Sequence, residues 1–496
     1  MTDLTHNQGN QERLGAQPAA PSGSSLIELR WGRADVLLVA ALIVLTATFG
    51  KSFSTVGTGG SPIYISEILL GLAAVAAAAR IGLGGSIAAI RRLPLIPLLI
   101  FWIAGVIATA RGLAGESVTN TLEDIGLFEY SLLLPLIAMV ATSLARVELI
   151  RAALVWGAVA GTLVYLFSDL SIRIFDTTDT LFDVEEITFG LYMAMLVAHV
   201  ANEFAHDREP PRVIVVTAAI ALVLVFLTNA RMVWIGLLAA IVVVVLLAPR
   251  EKLAFAGRTA AVMGAGLVLA VGIQQVAGGS QIALEISGAV RGITNDPPDP
   301  LAQPTFTPGS PGSPGSPGSP GSPGAPGTAR PQAPLTSSAE SDNAAWRIAF
   351  WGEAVDRTVE QPLFGAGFGE PFRFVWEDRK YDFRDGDPGT GIDVAGTHNS
   401  FVYVLYRMGL PALIALIALI VVAAMRMRAA LQDPTIGVEA RSRLIGLAAM
   451  GTAAAGVAAF SDAFKGPFLG LFFWVPLALI LVACELERRA RSPEAV

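Results

Sequence analysis

Charged residues are scarce in this chain. Only 15% of the 496 residues are Asp, Glu, Lys or Arg, whereas a typical soluble domain has about 25%. Hydrophobic residues make up 53% of the chain, and the mean hydropathy is +0.59. This composition lies beyond the apolar usage of soluble domains, so we expect an all-α polytopic membrane protein.

Cysteine and recognisable ligand motifs are also nearly absent. The single cysteine, Cys484, excludes an internal disulfide. The acidic stretch at 382–393 lacks the spacing and the closing Glu of a calcium loop, which favours a flexible loop over a metal site. The GAGFG run within 361–370 lacks the preceding strand and following helix of a nucleotide-binding unit. We therefore predict no metal, no cofactor and no nucleic-acid partner.

Twelve apolar segments account for most of the sequence. Each has roughly the 17 to 25 residues that an α-helix needs to cross a hydrocarbon core about 30 Å thick. The seventh and eighth form a tight hairpin around Thr228 to Arg231. The predicted spans are 34–50, 63–82, 93–110, 124–144, 150–168, 184–204, 212–229, 231–248, 258–277, 399–425, 442–461 and 467–484.

The positions of the cations predict the orientation of these spans. With a cytoplasmic N-terminus, twenty Lys and Arg residues fall on inner segments and five on short outer loops. Both termini are therefore expected in the cytoplasm. Residues 1–33 lack the pattern of a signal peptide, so we predict a disordered cytoplasmic tail there and a second tail at 485–496.

One long outer segment, 278–398, separates the ninth and tenth spans. Gly recurs every third position next to Pro in 308–328, which predicts an extended, solvated linker, since a collagen helix would need three such chains. Residues 343–361 predict an amphipathic helix that lies against the membrane domain or the lipid and ends at Pro362. Its candidate N-caps are Ser341, Asp342 and Asn343.

Candidate functional side chains gather at the predicted outer ends of the spans. His398 follows a glycine-rich loop, and Asn399 or Ser400 can cap the tenth helix after it. One interpretation of His398 is an interfacial histidine that forms structural hydrogen bonds and has no other role. The other is a functional residue, because ionisable groups at this depth are functional candidates. Arg231 lies at the turn before the eighth helix and Arg347 on the amphipathic helix. Either arginine alone could simply face lipid headgroups.

More polar residues are expected within the spans or at their outer ends. Arg407 follows His398 by nine residues, about 13 Å deeper by helical rise, and is predicted to pair within the bundle. The other residues near the outer ends are Asp462, Lys465, Glu67 and Glu129. Cations and acids grouped in this way predict a pocket that opens to the outer face.

The order of these features resembles the O-antigen ligase and O-antigen polymerase superfamily of bacteria. In that family an Arg follows a small polar run, a second Arg precedes a Pro-Leu-x-Gly-x-Gly turn, and His-Asn opens the helix after a large outer loop. Arg231, Arg347 and His398 match those positions, in WRIAFWGEAVDRTVEQPLFGAGFG and THNSFVYVLYRMGL for the last two. The resemblance covers about residues 190–420, and the linker at 308–328 has no counterpart in it.

The resemblance implies an all-helical glycosyltransferase of the GT-C type in the bacterial plasma membrane. Such enzymes move a glycan from undecaprenyl diphosphate to an acceptor hydroxyl on the outer face, without metal. Arg231 and Arg347 would bind the diphosphate, because a guanidinium forks to phosphate oxygens. His398 would take the acceptor proton or hold one of the substrates, and transfer would invert the anomeric centre. Asn399, Asp462 and Glu129 are candidate supporting residues.

Other functions and acceptors stay open at this stage. A secondary transporter of a polar or anionic solute would also be a twelve-span bundle, but it usually has internal repeats and charges near the midplane. A non-catalytic scaffold would leave the arginines and the histidine without a role. Within the enzyme hypothesis, the acceptor can be a growing glycan, a lipid core or a protein.

The predicted topology can be tested by thiol labelling. A cysteine introduced near Gly312 should react with an impermeant thiol reagent on intact cells, whereas one near Asp433 should not, because the two positions are predicted on opposite sides of the membrane. Equal labelling of both positions would overturn the orientation together with the outer-face site.

Overall fold

The computed structural model of the protein describes most of the helical regions. The described residues are 23–54, 65–82, 87–115, 118–175, 186–228, 230–247, 252–276, 337–370, 372–376, 379–382 and 397–491. The predicted linker at 308–328 and the predicted tail before residue 23 lie outside them.

Fifteen α-helices and one small hairpin make up the described chain. The first five helices are α1 (Gly23–Ser54), α2 (Ile65–Gly82), α3 (Leu95–Gly115), α4 (Val118–Glu129) and α5 (Leu133–Val140). They are followed by α6 (Leu144–Phe175), α7 (Glu186–Ala205), α8 (Arg212–Leu227), α9 (Arg231–Leu247) and α10 (Lys252–Val276). The last five are α11 (Ser337–Glu360), α12 (Ser400–Met408), α13 (Leu410–Gln432), α14 (Val438–Ala458) and α15 (Pro467–Arg491).

Six of the described helices are long and apolar enough to cross a membrane. They are α3, α6, α7, α10, α13 and α15. Four shorter apolar helices, within α1, α2, α8 and α9, coincide with other predicted spans. The prediction of a largely helical membrane protein is therefore confirmed, whereas the count of twelve spans stays a prediction.

Helix α15 forms the centre of the bundle. In its apolar window, 94% of the residues are buried by the rest of the protein, against 11% for α10.

Small residues allow helices α7, α9 and α14 to approach closely, as they do at membrane helix crossings generally. At Gly236 of α9, an added Cβ would lie 2.6 Å from the Ala453 carbonyl oxygen of α14, and at Gly190 of α7 it would lie 2.8 Å from Val233.

Two predicted spans are interrupted, which corrects the sequence-based boundaries. The span at 124–144 consists of the end of α4, a 3₁₀ turn at Tyr130–Leu132 and α5. The span at 399–425 is divided into α12 and α13 at Gly409, which has a φ of 83°. The apolar sequence is continuous through both interruptions, so hydropathy alone does not show them.

The described part of segment 278–398, which is predicted to lie outside, contains both a helix and a hairpin. Helix α11 begins at Ser337, so the predicted caps at Ser341 to Asn343 are wrong, because those residues lie inside the helix. It ends at Glu360, as Pro362 predicts. Strands β1 (Arg373–Trp376) and β2 (Arg379–Asp382) pair antiparallel, which adds a two-stranded exception to the predicted all-α fold.

A separate small core attaches α11 to the bundle. Trp346, Phe350 and Ala354 of α11 are buried together with Phe372 and with Tyr406 of α12. The Phe350 and Phe372 ring centroids are 4.4 Å apart, and those of Phe372 and Tyr406 are 4.9 Å apart. The amphipathic helix therefore packs on the bundle through its aromatic face, which confirms the prediction that it does not stand free in water.

The break at Gly409 can be tested by adding one methyl group. In Gly409→Ala, the new Cβ would lie 2.8 Å from the Leu363 carbonyl oxygen, at a positive φ that alanine avoids. We expect a loss of about 1–3 kcal/mol in unfolding free energy, measured as a lower thermal midpoint in detergent. The control is Gly352→Ala on α11, where a Cβ meets nothing within 4 Å. Equal midpoints for the two variants would contradict the close approach at Gly409.

Candidate active site

The segment that carries His398 is held in an uncommon backbone conformation. His398 has a φ of 49°, and Asp207 is the only other non-glycine residue with a positive φ among those described. The Asn399 side-chain oxygen accepts hydrogen bonds from the amides of Phe401 and Val402, at 3.0 and 3.1 Å. The predicted cap of α12 by Asn399 is thus confirmed. Backbone strain of this kind is concentrated at functional sites.

The turn between α14 and α15 anchors this segment. The Asp462 carboxylate accepts hydrogen bonds from the backbone amide of His398 and from the Thr397 hydroxyl, the latter at 3.2 Å. The Ser400 hydroxyl donates to the Ser461 carbonyl oxygen at 2.8 Å. Burial raises the pKa of Asp462 to about 6, although Lys465 opposes the shift. The Asp462 side chain therefore holds the backbone of His398 in place.

Arg347 approaches the same turn from α11. Its guanidinium donates to the Phe460 carbonyl oxygen at 3.4 Å and interacts electrostatically with Asp462 and Arg231. Burial lowers the pKa of Arg347, Asp462 raises it, and Arg231 lowers it further. Two guanidinium groups from α9 and α11 are thus close enough to repel each other.

The imidazole of His398 lies near Arg347 and Trp346. Its ring is 6.0 Å from the Trp346 ring, centroid to centroid, in an edge-on arrangement. Burial and the charge of Arg347 lower the pKa of His398 to about 4. The imidazole is therefore neutral near pH 7, and a neutral imidazole has a nitrogen lone pair that can accept a proton.

The segment 361–370 connects α11 to the bundle, and we call it the glycine strap. The amides of Ala366 and Gly367 donate to the carbonyl oxygens of Tyr406 and Arg407, at 2.7 and 3.1 Å. The amide of Phe368 donates to the Ala108 carbonyl oxygen of α3 at 3.1 Å. The strap therefore lies directly on α12, the helix that follows His398.

A buried ion pair holds the glycine strap in place. Arg407 and Asp124 of α4 are 2% and 0% exposed, and the Nε and Oδ2 atoms are 3.3 Å apart. Arg407 also donates to the carbonyl oxygens of Gly367 and Glu370, at 3.1 and 2.6 Å. The other oxygen of Asp124 accepts a hydrogen bond from the Tyr403 hydroxyl at 2.7 Å. The prediction that Arg407 pairs within the bundle is confirmed.

Arg111 of α3 provides a second attachment for the strap. Its guanidinium donates to the Gly365 carbonyl oxygen at 2.5 Å and to the Gln361 side-chain oxygen at 2.6 Å. Sequence reasoning counted Arg111 only as a loop cation and did not identify Asp124. Both lie far along the chain from the strap, and no local pattern indicates that they meet it.

The structure gives interactions that link four of the predicted residues. Arg231, Arg347, His398 and Asp462 share one region through the interactions given above. Glu129 lies at the end of α4, where its electrostatic neighbour is Glu67. No group of three or more His, Cys, Asp or Glu side chains arranged for a metal occurs in the part of the chain that the structure describes.

The low pKa of His398 can be tested by chemical modification. Diethyl pyrocarbonate reacts with neutral imidazole. The rate at which it modifies His398 should therefore change little between about pH 7 and pH 5, whereas the rate at which it modifies added N-acetylhistidine should fall strongly. Arg347→Gln removes a positive charge that lowers the pKa of His398. The rate of modification of His398 should then begin to fall at a higher pH. Mass spectrometry of the modified peptide gives the rates. A wild-type profile that follows N-acetylhistidine would contradict the low pKa.

Comparison with known proteins agrees with this arrangement. Residues 216–417 match the family model described as O-antigen ligase. No curated protein matched the chain. The matched residues include Arg231, Arg347 and His398, together with the glycine strap. The resemblance of this chain to the O-antigen ligase and O-antigen polymerase superfamily is therefore confirmed over the region that holds the candidate site.

Proposed function

We propose that the protein is a glycosyltransferase that moves a glycan from undecaprenyl diphosphate to an acceptor hydroxyl at the outer face of the bacterial plasma membrane. The O-antigen ligase match supports a membrane enzyme that processes glycans, and it does not favour a transporter. The donor, the inverting course, the absence of a metal requirement and the outer-face location belong to the proposal.

The approach of Arg231 to Arg347 is the observation that carries the proposal. Two guanidinium groups near one turn make a site of positive potential, which attracts an anion. A departing diphosphate has two to three negative charges, which two guanidinium groups can offset. Guanidinium groups also bind phosphate oxygens bidentately and do not lose their protons, so they can stabilise a leaving diphosphate directly.

The neutral imidazole of His398 completes the proposed reaction. The acceptor oxygen attacks the anomeric carbon, and the bond from that carbon to the diphosphate oxygen breaks. The diphosphate leaves with the bonding electrons towards Arg231 and Arg347. The acceptor proton passes to His398, and attack from the opposite side inverts the anomeric centre. Asp462 positions His398, whereas Asn399 supports the site by capping α12.

The reaction can be tested with purified lipid-linked glycan in vitro. We expect His398→Ala to lower the transfer rate by about 10²- to 10⁴-fold while donor binding persists, because proton abstraction occurs only in the transition state. Arg231→Lys and Arg347→Lys should each lower the rate by about 10²-fold, since lysine keeps the charge but not the fork. The control is Arg428→Lys, an exposed arginine of α13.

Two results would contradict these assignments. Transfer by His398→Ala at nearly the wild-type rate would remove the histidine as the base. Wild-type rates for both lysine variants would remove the bidentate contacts to diphosphate. Each variant needs a thermal midpoint close to that of the wild type, so that a folding defect is not mistaken for lost chemistry.

A further inference from the structure

An apolar cleft lies between α7, α8 and α10, away from the residues of the proposed reaction. It encloses about 470 Å³, within the range of about 300–1,000 Å³ for small-molecule sites. Its lining is aliphatic and aromatic apart from Arg258 and Thr259. The largest side chains in the lining are Phe204, Leu222, Phe255 and Met263.

We infer that this cleft binds an acyl chain of an anionic phospholipid and that Arg212 and Arg258 hold its phosphate. The site would be a lipid-binding site separate from the proposed glycan site. It does not depend on the transfer reaction, since none of the residues assigned to that reaction lines the cleft.

The packing of α8 against α10 places both arginines at one end of the cleft. An added Cβ on Gly266 of α10 would lie 2.9 Å from Leu222 of α8, so these two residues mark the same level. The cleft is lined by residues of α8 between 215 and 222 and by residues of α10 between 255 and 263. On both helices these residues lie at the contact or before it in the chain, so the two helices run parallel. Eight residues before the contact, or about 12 Å, Arg258 lies level with Ile214, close to Arg212.

The two arginines are available to a headgroup. Both side chains are exposed, and neither has an ion pair in the described part of the chain. Nearby Arg151 and Arg208 differ, since each is paired with Glu203, at 3.4 and 3.0 Å. The mouth of the cleft therefore has two arginines without an ion pair among the described residues.

The surroundings of the cleft favour a lipid as its occupant. Apolar cavities do not hold ordered water. Two of the helices around the cleft, α7 and α10, are long and apolar enough to cross a membrane, and α8 is a shorter apolar helix. An acyl chain gains little by moving from the bilayer into an apolar cleft, because both environments are apolar. Selectivity must then come from the headgroup. Arginines at the mouth favour a net negative phospholipid over a zwitterionic one.

The charge contribution can be measured by lipid titration. Full-length protein, delipidated in neutral detergent, is titrated with phosphatidylglycerol or with phosphatidylcholine that has the same acyl chains, and native mass spectrometry quantifies the first bound lipid. We expect tighter binding of phosphatidylglycerol. Arg212→Gln and Arg258→Gln should each weaken it roughly fivefold and weaken phosphatidylcholine less, because the choline cation offsets the phosphate charge. Arg428→Gln, at an exposed position of α13, is the matched control and should have no effect.

A second pair of variants tests whether the acyl chain binds in the cleft. Ala219 lines the cleft and is exposed, so Ala219→Trp should fill the space and weaken phosphatidylglycerol binding while both arginines stay in place. Val421→Trp, at an exposed position of α13, should leave binding unchanged. Thermal midpoints confirm that the variants are folded.

Four results would overturn the proposal. Equal affinities for the two phospholipids would exclude the anionic preference. Losses of affinity in Arg212→Gln and Arg258→Gln no larger than that in Arg428→Gln would exclude a role of the two arginines. Unchanged binding by Ala219→Trp would place the lipid elsewhere. Tighter binding of undecaprenyl phosphate than of phosphatidylglycerol, lost in Ala219→Trp, would instead assign the cleft to a polyprenyl lipid.

Discussion

The buried ion pair between Asp124 and Arg407 is the interaction on which the candidate site depends. Removing Asp124 would leave the buried Arg407 guanidinium without an acidic partner among the described residues, and breaking such a pair typically costs about 3–5 kcal/mol. Here the pair also satisfies the strap amide of Gly369, which donates to Asp124 at 3.0 Å. Since the strap begins where α11 ends and lies on α12, the ion pair fixes the helix of Arg347 relative to the helix that follows His398.

The site itself combines two electrostatic features that oppose stability. Arg231 and Arg347 are brought close together, and His398 is held neutral in a strained backbone conformation. Like charges and backbone strain persist in a fold only when the surrounding contacts outweigh them. Asp462, the cap at Asn399 and the glycine strap supply such contacts. An anion would relieve the repulsion, which is the basis on which we propose a diphosphate.

The two proposed ligand sites lie at opposite ends of the α8–α9 hairpin. Arg231 begins α9, close to the end of α8, whereas Arg212 begins α8, near the mouth of the lipid cleft. The 16 residues of α8 separate the two arginines by about 24 Å along the helix axis. A phospholipid bound in the cleft would therefore stabilise the helices that hold Arg231 without touching the glycan site.

The sequence by itself determined the features that depend on local composition. Apolar segments long enough to cross a bilayer predicted the helical membrane fold, Asn399 predicted a helix cap, and Pro362 predicted the end of α11. Motif order indicated Arg231, Arg347 and His398. Only the tertiary structure decided that Asp124 meets Arg407, that Gly409 divides the tenth span, and that Arg111 contacts the glycine strap. Those outcomes depend on contacts between residues far apart in the chain, and hydropathy and helix periodicity describe only the local chain.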